Sequence, residues 1–263
     1  MKRVEAQWGS VISVDVRDDV SDRVLCRILD DAFAWFAYVD EVFSTWRDDS
    51  ELTRVTDGRL ALAEASDDLR EVLLRCEQLR VETDGAFDVT VGARALVAPR
   101  PGLAALDPSG FVKGWAVDRA GTLLEAAGIA DFCINAAGDV LVKGSPRRGS
   151  SWQVGIQHPF SRGDLAMVVC VTDVGVATSG RYERGDHIFD PTTGLPARGL
   201  ASVTVIGADL GRADALATAA IARGPAGMDW IAGVAGVEAM GITDEAEVLL
   251  TTGFARHRRE GSA

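Results

Sequence analysis

Asp214 and Thr218, in the run ADALATA, stand four residues apart where the sequence favours a helix. That spacing turns both side chains to one face. A carboxylate and a hydroxyl offered together suit a hard, oxygen-seeking divalent cation such as Mg2+, which commonly helps to hold phosphates. Upstream, the stretch from Val176 to Gly194 reads VATSGRYERGDHIFDPTTG. It carries a Thr-Ser-Gly segment read as a turn and His187 beside an Ile-Phe-Asp-Pro turn. Phosphate chemistry on a nucleotide is the leading expectation. The plainer alternative for the pair is an ordinary helix start, with Asp in the first turn and Thr bonded back to the backbone.

The elements that must position these groups follow from pattern. Ser10 to Val16 alternates as a strand, and Ser21 to Phe43 places Val24, Leu25, Ile28, Leu29, Phe33, Phe36, Val39 and Val42 at helical spacing. Ser66 caps a second helix with Leu69, Val72, Leu73, Cys76 and Leu79 on its apolar face, and Gly85 follows its end. FSTWRDDSELTRV between them reads as a polar loop, and Ala93 to Leu106 as another. Lys113 to Ala127 is expected as a helix. Phe132 to Val142, Trp152 to Gln157, Leu165 to Thr172, Gly175 to Ala177 and His187 to Phe189 are expected as strands. Beyond them come a strand at Ala201 to Gly207, helices at Arg212 to Arg223 and Ala226 to Val234, and strands at Met240 to Thr243 and Glu247 to Thr251. Strands with irregularly interspersed helices argue for an α+β class.

Composition narrows the function. The chain of 263 residues is 47% hydrophobic, enough for a sizeable core in one domain or two tightly joined halves. Its formal net charge of -12, with no Lys/Arg-rich block, argues against a nucleic-acid surface. Cys26, Cys76, Cys133 and Cys170 lie far apart in apolar runs and are expected as buried free thiols. No export signal, lipid-attachment cysteine or membrane-length apolar run is visible, so a cytoplasmic location with no membrane anchor is expected.

The stretches WGSVISVDV, FSTWRDDSELTRV, TDGAFDVTVGA, LDPSGFVKGWAVDRA, INAAGDVLVKG, VATSGRYER, HIFDPTTG and ADALATA resemble, in order, the ApbE family of FAD:protein FMN transferases. The resemblance implies residues 1–263 as a single domain of two closely packed halves. Its fold would be α+β and T-fold-like, with mostly antiparallel sheets, packed helices and a cleft between the halves. It implies Mg2+-dependent cleavage of the FAD pyrophosphate, transfer of FMN to a Thr or Ser hydroxyl of an acceptor protein, and release of AMP. Asp214, Thr218 and the main-chain carbonyl of Gly110 would hold the metal. His187 would take the proton of the attacking hydroxyl, since imidazole titrates near neutral pH. FAD would lie against Trp8, Trp46, Ala86, Phe87, Asp88, Asp107, Lys113 and the main chain of Ile188.

Plainer readings stand beside these roles. His187 also fits a strand-end residue bonded to backbone, Phe87 a core side chain, and Lys113 a solvated first-turn lysine. His158, in a Q-H-P turn, reads as structural. Asn135, Gly138 and Asp139 sit in a glycine turn near the site, where Ala137 replaces a family glycine. Ser179 and Gly180 either present N–H groups to phosphate or turn the chain, while Asp190 and Thr193 shape a turn. Trp46 stands where the family usually has Tyr, and Trp8 where it has Met. Only residues 93–105 separate GAFDVTVG from LDPSG, a segment much longer in the family. That shortening leaves a metal-dependent FAD pyrophosphatase and a non-catalytic flavin-binding protein open as alternatives.

Overall fold

The structure is a computed structural model that describes residues 1–91, 106–181 and 188–258. An eight-stranded sheet runs in the order β1-β2-β3-β4-β7-β8-β9-β10. Its strands are β1 (Lys2–Gln7), β2 (Ser10–Val16), β3 (Phe132–Ala136), β4 (Asp139–Lys143), β7 (Val174–Gly180), β8 (Leu200–Gly207), β9 (Val237–Thr243) and β10 (Val248–Leu250). Every neighbouring pair is antiparallel. A separate hairpin pairs β5 (Trp152–Gln157) with β6 (Leu165–Val171). The helices are α1 (Asp22–Phe43), α2 (Glu51–Thr56), α3 (Asp67–Glu82), α4 (Ser109–Ala126), α5 (Leu210–Ala222) and α6 (Gly227–Ala232). The α+β, mostly antiparallel class expected from the sequence is the one found.

Three apolar clusters hold these layers. One face of the sheet, with Ile12, Val14, Ile134, Val203 and Val205, packs on α1, α4 and α5. The hairpin covers the opposite face through Trp152, Val154, Ile156 and Val169 against Val140, Val142 and Met240. On the far side of α4, Phe111 and Trp115 meet Leu69, Val72 and Cys76 of α3. Helix α4 is therefore apolar on two sides, which is why no single helical stripe marks its true start.

Helices α4 and α5 approach unusually closely. A Cβ on Gly114 would lie 2.6 Å from the Leu210 carbonyl oxygen and 2.7 Å from the Gly211 Cα. One on Gly211 would lie 3.0 Å from the Trp115 nitrogen. This reciprocal glycine contact draws together the two helices that carry Lys113 and Asp214.

Several expectations need correction. Strand β1 went unread because it is an edge strand whose side chains stay at least partly exposed. It joins β2 through Trp8 and Gly9, both at positive φ (57° and 67°), the geometry of a tight hairpin turn. The polar FSTWRDDSELTRV segment contains α2, started by Ser50, whose side chain accepts from the Thr53 N–H. Phe132 to Val142 is two strands, because Ala137 and Gly138 at φ 55° and 99° reverse the chain. Thr178, Ser179 and Gly180 continue β7 rather than turning. Helix α4 begins at Ser109, so Lys113 is not in its first turn. Cys26 is exposed, since Leu25 and Leu29 take the inward positions of α1; Cys133 and Cys170 are half-buried, and only Cys76 is fully buried. His187 and residues 93–105 lie outside the described residues; Phe189 forms an isolated bridge with Pro196.

Candidate functional site

The α5 N-terminus is fixed by Asp209, whose carboxylate accepts from the Arg212 N–H at 2.7 Å. One turn on, Asp214 faces a cavity of about 100 Å3 together with Thr218. Gly110 and Lys113 enter it from α4, Ser179 and Gly180 from β7, and Ala86, Phe87 and Asp88 from the segment after α3. Asp107 and Ile188 complete the lining among the expected residues.

Each wall has a local cause. Thr83, fully buried behind α3, donates to the Leu79 carbonyl at 2.8 Å and accepts from the Phe87 N–H at 2.9 Å, which pins the 86–88 segment. The Asp107 N–H donates to the Val89 carbonyl at 2.8 Å, and its carboxylate accepts from the Ser109 N–H at 3.0 Å. Asp88 is held likewise by the Thr90 N–H and hydroxyl at 2.8 and 2.7 Å. Both acids thus bend the chain as well as line the cavity. Asp190 shapes its turn as expected, accepting from the Thr192 N–H at 2.8 Å and the Thr193 hydroxyl at 2.9 Å. Those donors, the Thr192 amide foremost, hold its carboxyl below the usual range. The Ile188 carbonyl accepts from the Ala197 N–H at 2.9 Å, so that oxygen serves the fold.

Lys113 is the electrostatic centre. Its ammonium donates to Asp139 at 2.6 Å and lies 3.9 Å from Asp214. Asp139 and Asp214 are 1% and 2% exposed. Asp139 also accepts from the Thr178 N–H at 3.2 Å. The sequence placed Asp139 near the site but not as the partner of Lys113. A lone lysine in the apolar run FVKGWAV was the available signal, because a half-buried ammonium needs a counter-charge. The Ser179 and Thr218 hydroxyls lie 2.9 Å apart, so Ser179 acts here through its side chain as well.

Among the described residues no three His, Cys, Asp or Glu side chains gather as a metal-binding cluster. The expected ligand set does not require one. It uses the Asp214 carboxylate, the Thr218 hydroxyl and a main-chain oxygen, all hard donors of the kind Mg2+ takes. A Cβ on Gly110 would stand 3.2 Å from the Thr218 hydroxyl oxygen and 3.3 Å from the Phe87 ring. A side chain there would crowd both, so glycine keeps the α4 start close to Thr218, and the hard oxygen donors present fit a cation of this kind.

Trp8 and Trp46 belong to a second chamber of about 430 Å3, lined largely by apolar groups including Phe43 and Val112. The Trp8 indole donates to the Phe36 carbonyl at 2.9 Å and stacks edge-on against the Phe36 ring. Trp46 is 87% exposed, a free aromatic face at the rim. The two chambers share Ser109 and Lys113. The expected residues therefore divide into a polar chamber and an apolar one, with the lysine at their junction.

Comparison with known proteins gives a consistent result. The ApbE family profile matches residues 8–98 and 94–240. An FAD:protein FMN transferase of Rhodobacter capsulatus is 36% identical over 174 residues, 62% of this chain and 33% of that protein. One from Vibrio cholerae is 30% identical over 234 residues, 71% of this chain and 70% of that protein. The apo structure of Pseudomonas stutzeri flavinyl transferase ApbE superposes with a TM-score of 0.81 at 25% identity, covering 98% of this chain and 97% of the other. The Thermotoga maritima ApbE protein shares the fold, with a TM-score of 0.84 at 24% identity over 99% of both chains. The chain thus spans a third of the R. capsulatus relative's length and about seven tenths of the V. cholerae relative's.

Proposed function

This chain belongs to the ApbE family, and from that membership we propose that it transfers FMN from FAD to a Ser or Thr hydroxyl of an acceptor protein, releasing AMP, with Mg2+ required. The observation that carries the proposal is the convergence of Asp214, Thr218, Gly110 and Lys113 in a polar cavity that shares Ser109 and Lys113 with an aromatic chamber. The apolar chamber suits a flat ring system, with Trp8 and Trp46 as its aromatic faces. The Lys113 junction suits the diphosphate.

In the reaction the acceptor oxygen forms a bond to the FMN phosphorus as the bond to the AMP oxygen breaks. The hydroxyl proton passes to His187, the proposed general base, and AMP departs with the bridging oxygen. Lys113 offsets charge on the phosphoryl oxygens, held in place by Asp139. Asp214, Thr218 and the Gly110 carbonyl would hold Mg2+, which supplies Lewis-acid stabilisation of the developing phosphoryl charge when bound. Asp88, Asp107 and Phe87 shape the chamber wall. The unit we assign to this activity is residues 1–263 as one domain.

We also place the protein in the cytoplasm. Four unpaired cysteines suit a reducing compartment. No helix among the described residues is long and apolar enough to cross a membrane. Cell fractionation tests the location.

The test of function is incubation of the purified chain with FAD, Mg2+ and a Thr-bearing acceptor, followed by in-gel flavin fluorescence and nucleotide analysis. Flavin-labelled acceptor with equimolar AMP is expected, and Asp214→Asn should abolish both. FMN and AMP without labelled acceptor would replace the transferase by a pyrophosphatase. FAD binding without AMP would leave a flavin-binding protein. His187→Ala should lower transfer to the acceptor while leaving FAD binding intact.

A further inference from the structure

The β5–β6 hairpin has two outer edges, and they differ. The β6 edge is blocked where Val169 bridges Arg258. On the outer edge of β5 no strand pairs among the described residues. That edge borders a third cavity, of about 450 Å3, floored by Asn135 and Gly138 of the β3–β4 turn. Trp152, whose indole donates to the Lys143 carbonyl at 3.0 Å, ties β5 to the main sheet and holds the edge in place. Gln153 and Gln157 point outward and are exposed, while Val154 and Ile156 face the core.

This cavity adjoins the site across the end of the sheet, where Thr178 turns its side chain to Thr204 and the next residue, Ser179, turns to Thr218. Thr178 lines both it and the Asp214 cavity, and Ala137 lines both it and the tryptophan chamber. Its chemistry is different. Among its described lining residues there is no Lys, Arg or His; Asn135, Gln153 and Gln157 bring amides, Thr178 a hydroxyl and Asp164 a carboxylate. A diphosphate would find no cation there, whereas Lys113 serves both other chambers. An unpaired strand edge instead offers alternating N–H and C=O groups to an extended polypeptide.

We propose that the acceptor polypeptide docks in this third cavity as a strand added to β5, delivering its hydroxyl past Thr178 towards Asp214. The proposal rests on the transferase reading. It assigns the two lysine-bearing chambers to the dinucleotide and the lysine-free one to the acceptor, so both substrates bind at once without overlap.

Two variants at exposed positions test it, Gln153→Trp and Gln157→Trp, each filling the groove without touching the core. The probe is a short peptide with one threonine among small residues, alongside the same peptide methylated on alternate backbone nitrogens. The expected result is a rise in acceptor KM of about tenfold or more in both variants, a loss of about 1.4 kcal/mol in recognition. FAD affinity, read by flavin fluorescence, should change less than about twofold, the scale of an ordinary surface substitution. Hydrogen exchange should slow at β5 amides when peptide is added, and the methylated peptide should lose that protection. Unchanged acceptor KM in both variants, with the wild-type chain labelling peptide, overturns the groove alone. No labelling by the wild-type chain overturns the transferase reading and the groove with it.

Discussion

Replacing Lys113 by Met keeps the length and apolar stem of the side chain and removes its charge. The ammonium sits 2.6 Å from Asp139 and 3.9 Å from Asp214, with the lysine side chain only 18% exposed. At an effective dielectric of about 20, unit charges some 4 Å apart attract by about 4 kcal/mol, and desolvation cancels much of that. Removing one partner leaves Asp139 buried with a single described donor, the Thr178 N–H. Breaking such a pair costs about 3–5 kcal/mol. K113M should therefore lower unfolding free energy by about 3 kcal/mol in urea titrations, and Asp139→Asn in the same background should recover most of it. The double-mutant cycle should give a coupling of about 2 kcal/mol. Mg2+ should stabilise K113M more than wild type, because a cation near Asp214 replaces the missing charge. A loss under about 0.5 kcal/mol, the scale of an ordinary surface change, would refute the claim that Lys113 holds these acids together.

Gly114→Ala should cost about 2–3 kcal/mol and lower transfer sharply, because its Cβ meets the α5 backbone, which has little room to give; thermal melts and labelling read both effects. Asp118 accepts from the Gly211 N–H at 3.0 Å, and burial pushes its carboxyl up to about 7. Its folded pKa lies above the unfolded one, so its stability contribution is full below about pH 4 and is lost as pH rises through about 7, at most about 4 kcal/mol. Asp118→Asn should flatten that slope in urea titrations and stabilise the chain at pH 8. Ala137→Gly relieves a positive φ of 55°; the gain net of glycine's entropy is about 0.5–1 kcal/mol, seen as a rise in Tm of about 2 °C.

What could be read in the sequence was whatever had a local cause. Ser66 marks the start of α3, and the inward positions Leu25, Leu29, Phe33, Phe36, Val39 and Val42 define α1. Asp214 and Thr218 share a face because helical geometry alone requires it. The features missed had tertiary causes. Ser109 to Val112 belong to α4 because Asp107 holds its start and Phe111 and Val112 pack among α3 residues, and β1 forms because β2 supplies a partner. The Lys113–Asp139 pair joins positions 26 apart on a helix and a strand, which no periodicity announces. Trp8 and Trp46, expected against FAD, line a chamber separate from the Asp214 cavity, and that division in space is invisible in motif order.

The charge pattern explains why the site is built this way. The chain carries a net charge of -12, and its proposed substrate is an anionic diphosphate. Among the described residues lining the two lysine-bearing chambers, the acids are Asp40, Asp88, Asp107 and Asp214, and the base is Lys113. Asp139 already takes much of the lysine's charge at 2.6 Å. A site so acidic repels phosphate unless further positive charge arrives with it. Asp214 and Thr218 are where a divalent cation would bring that charge to the phosphate, and the same acidity would keep a bare dinucleotide out. Metal and FAD should therefore bind cooperatively rather than independently, each raising the other's affinity by the same factor. Chelation at constant ionic strength should weaken FAD binding itself, as well as turnover. FAD affinity indifferent to chelator would mean that the lysine and the backbone suffice, and that the acids around them serve only the fold.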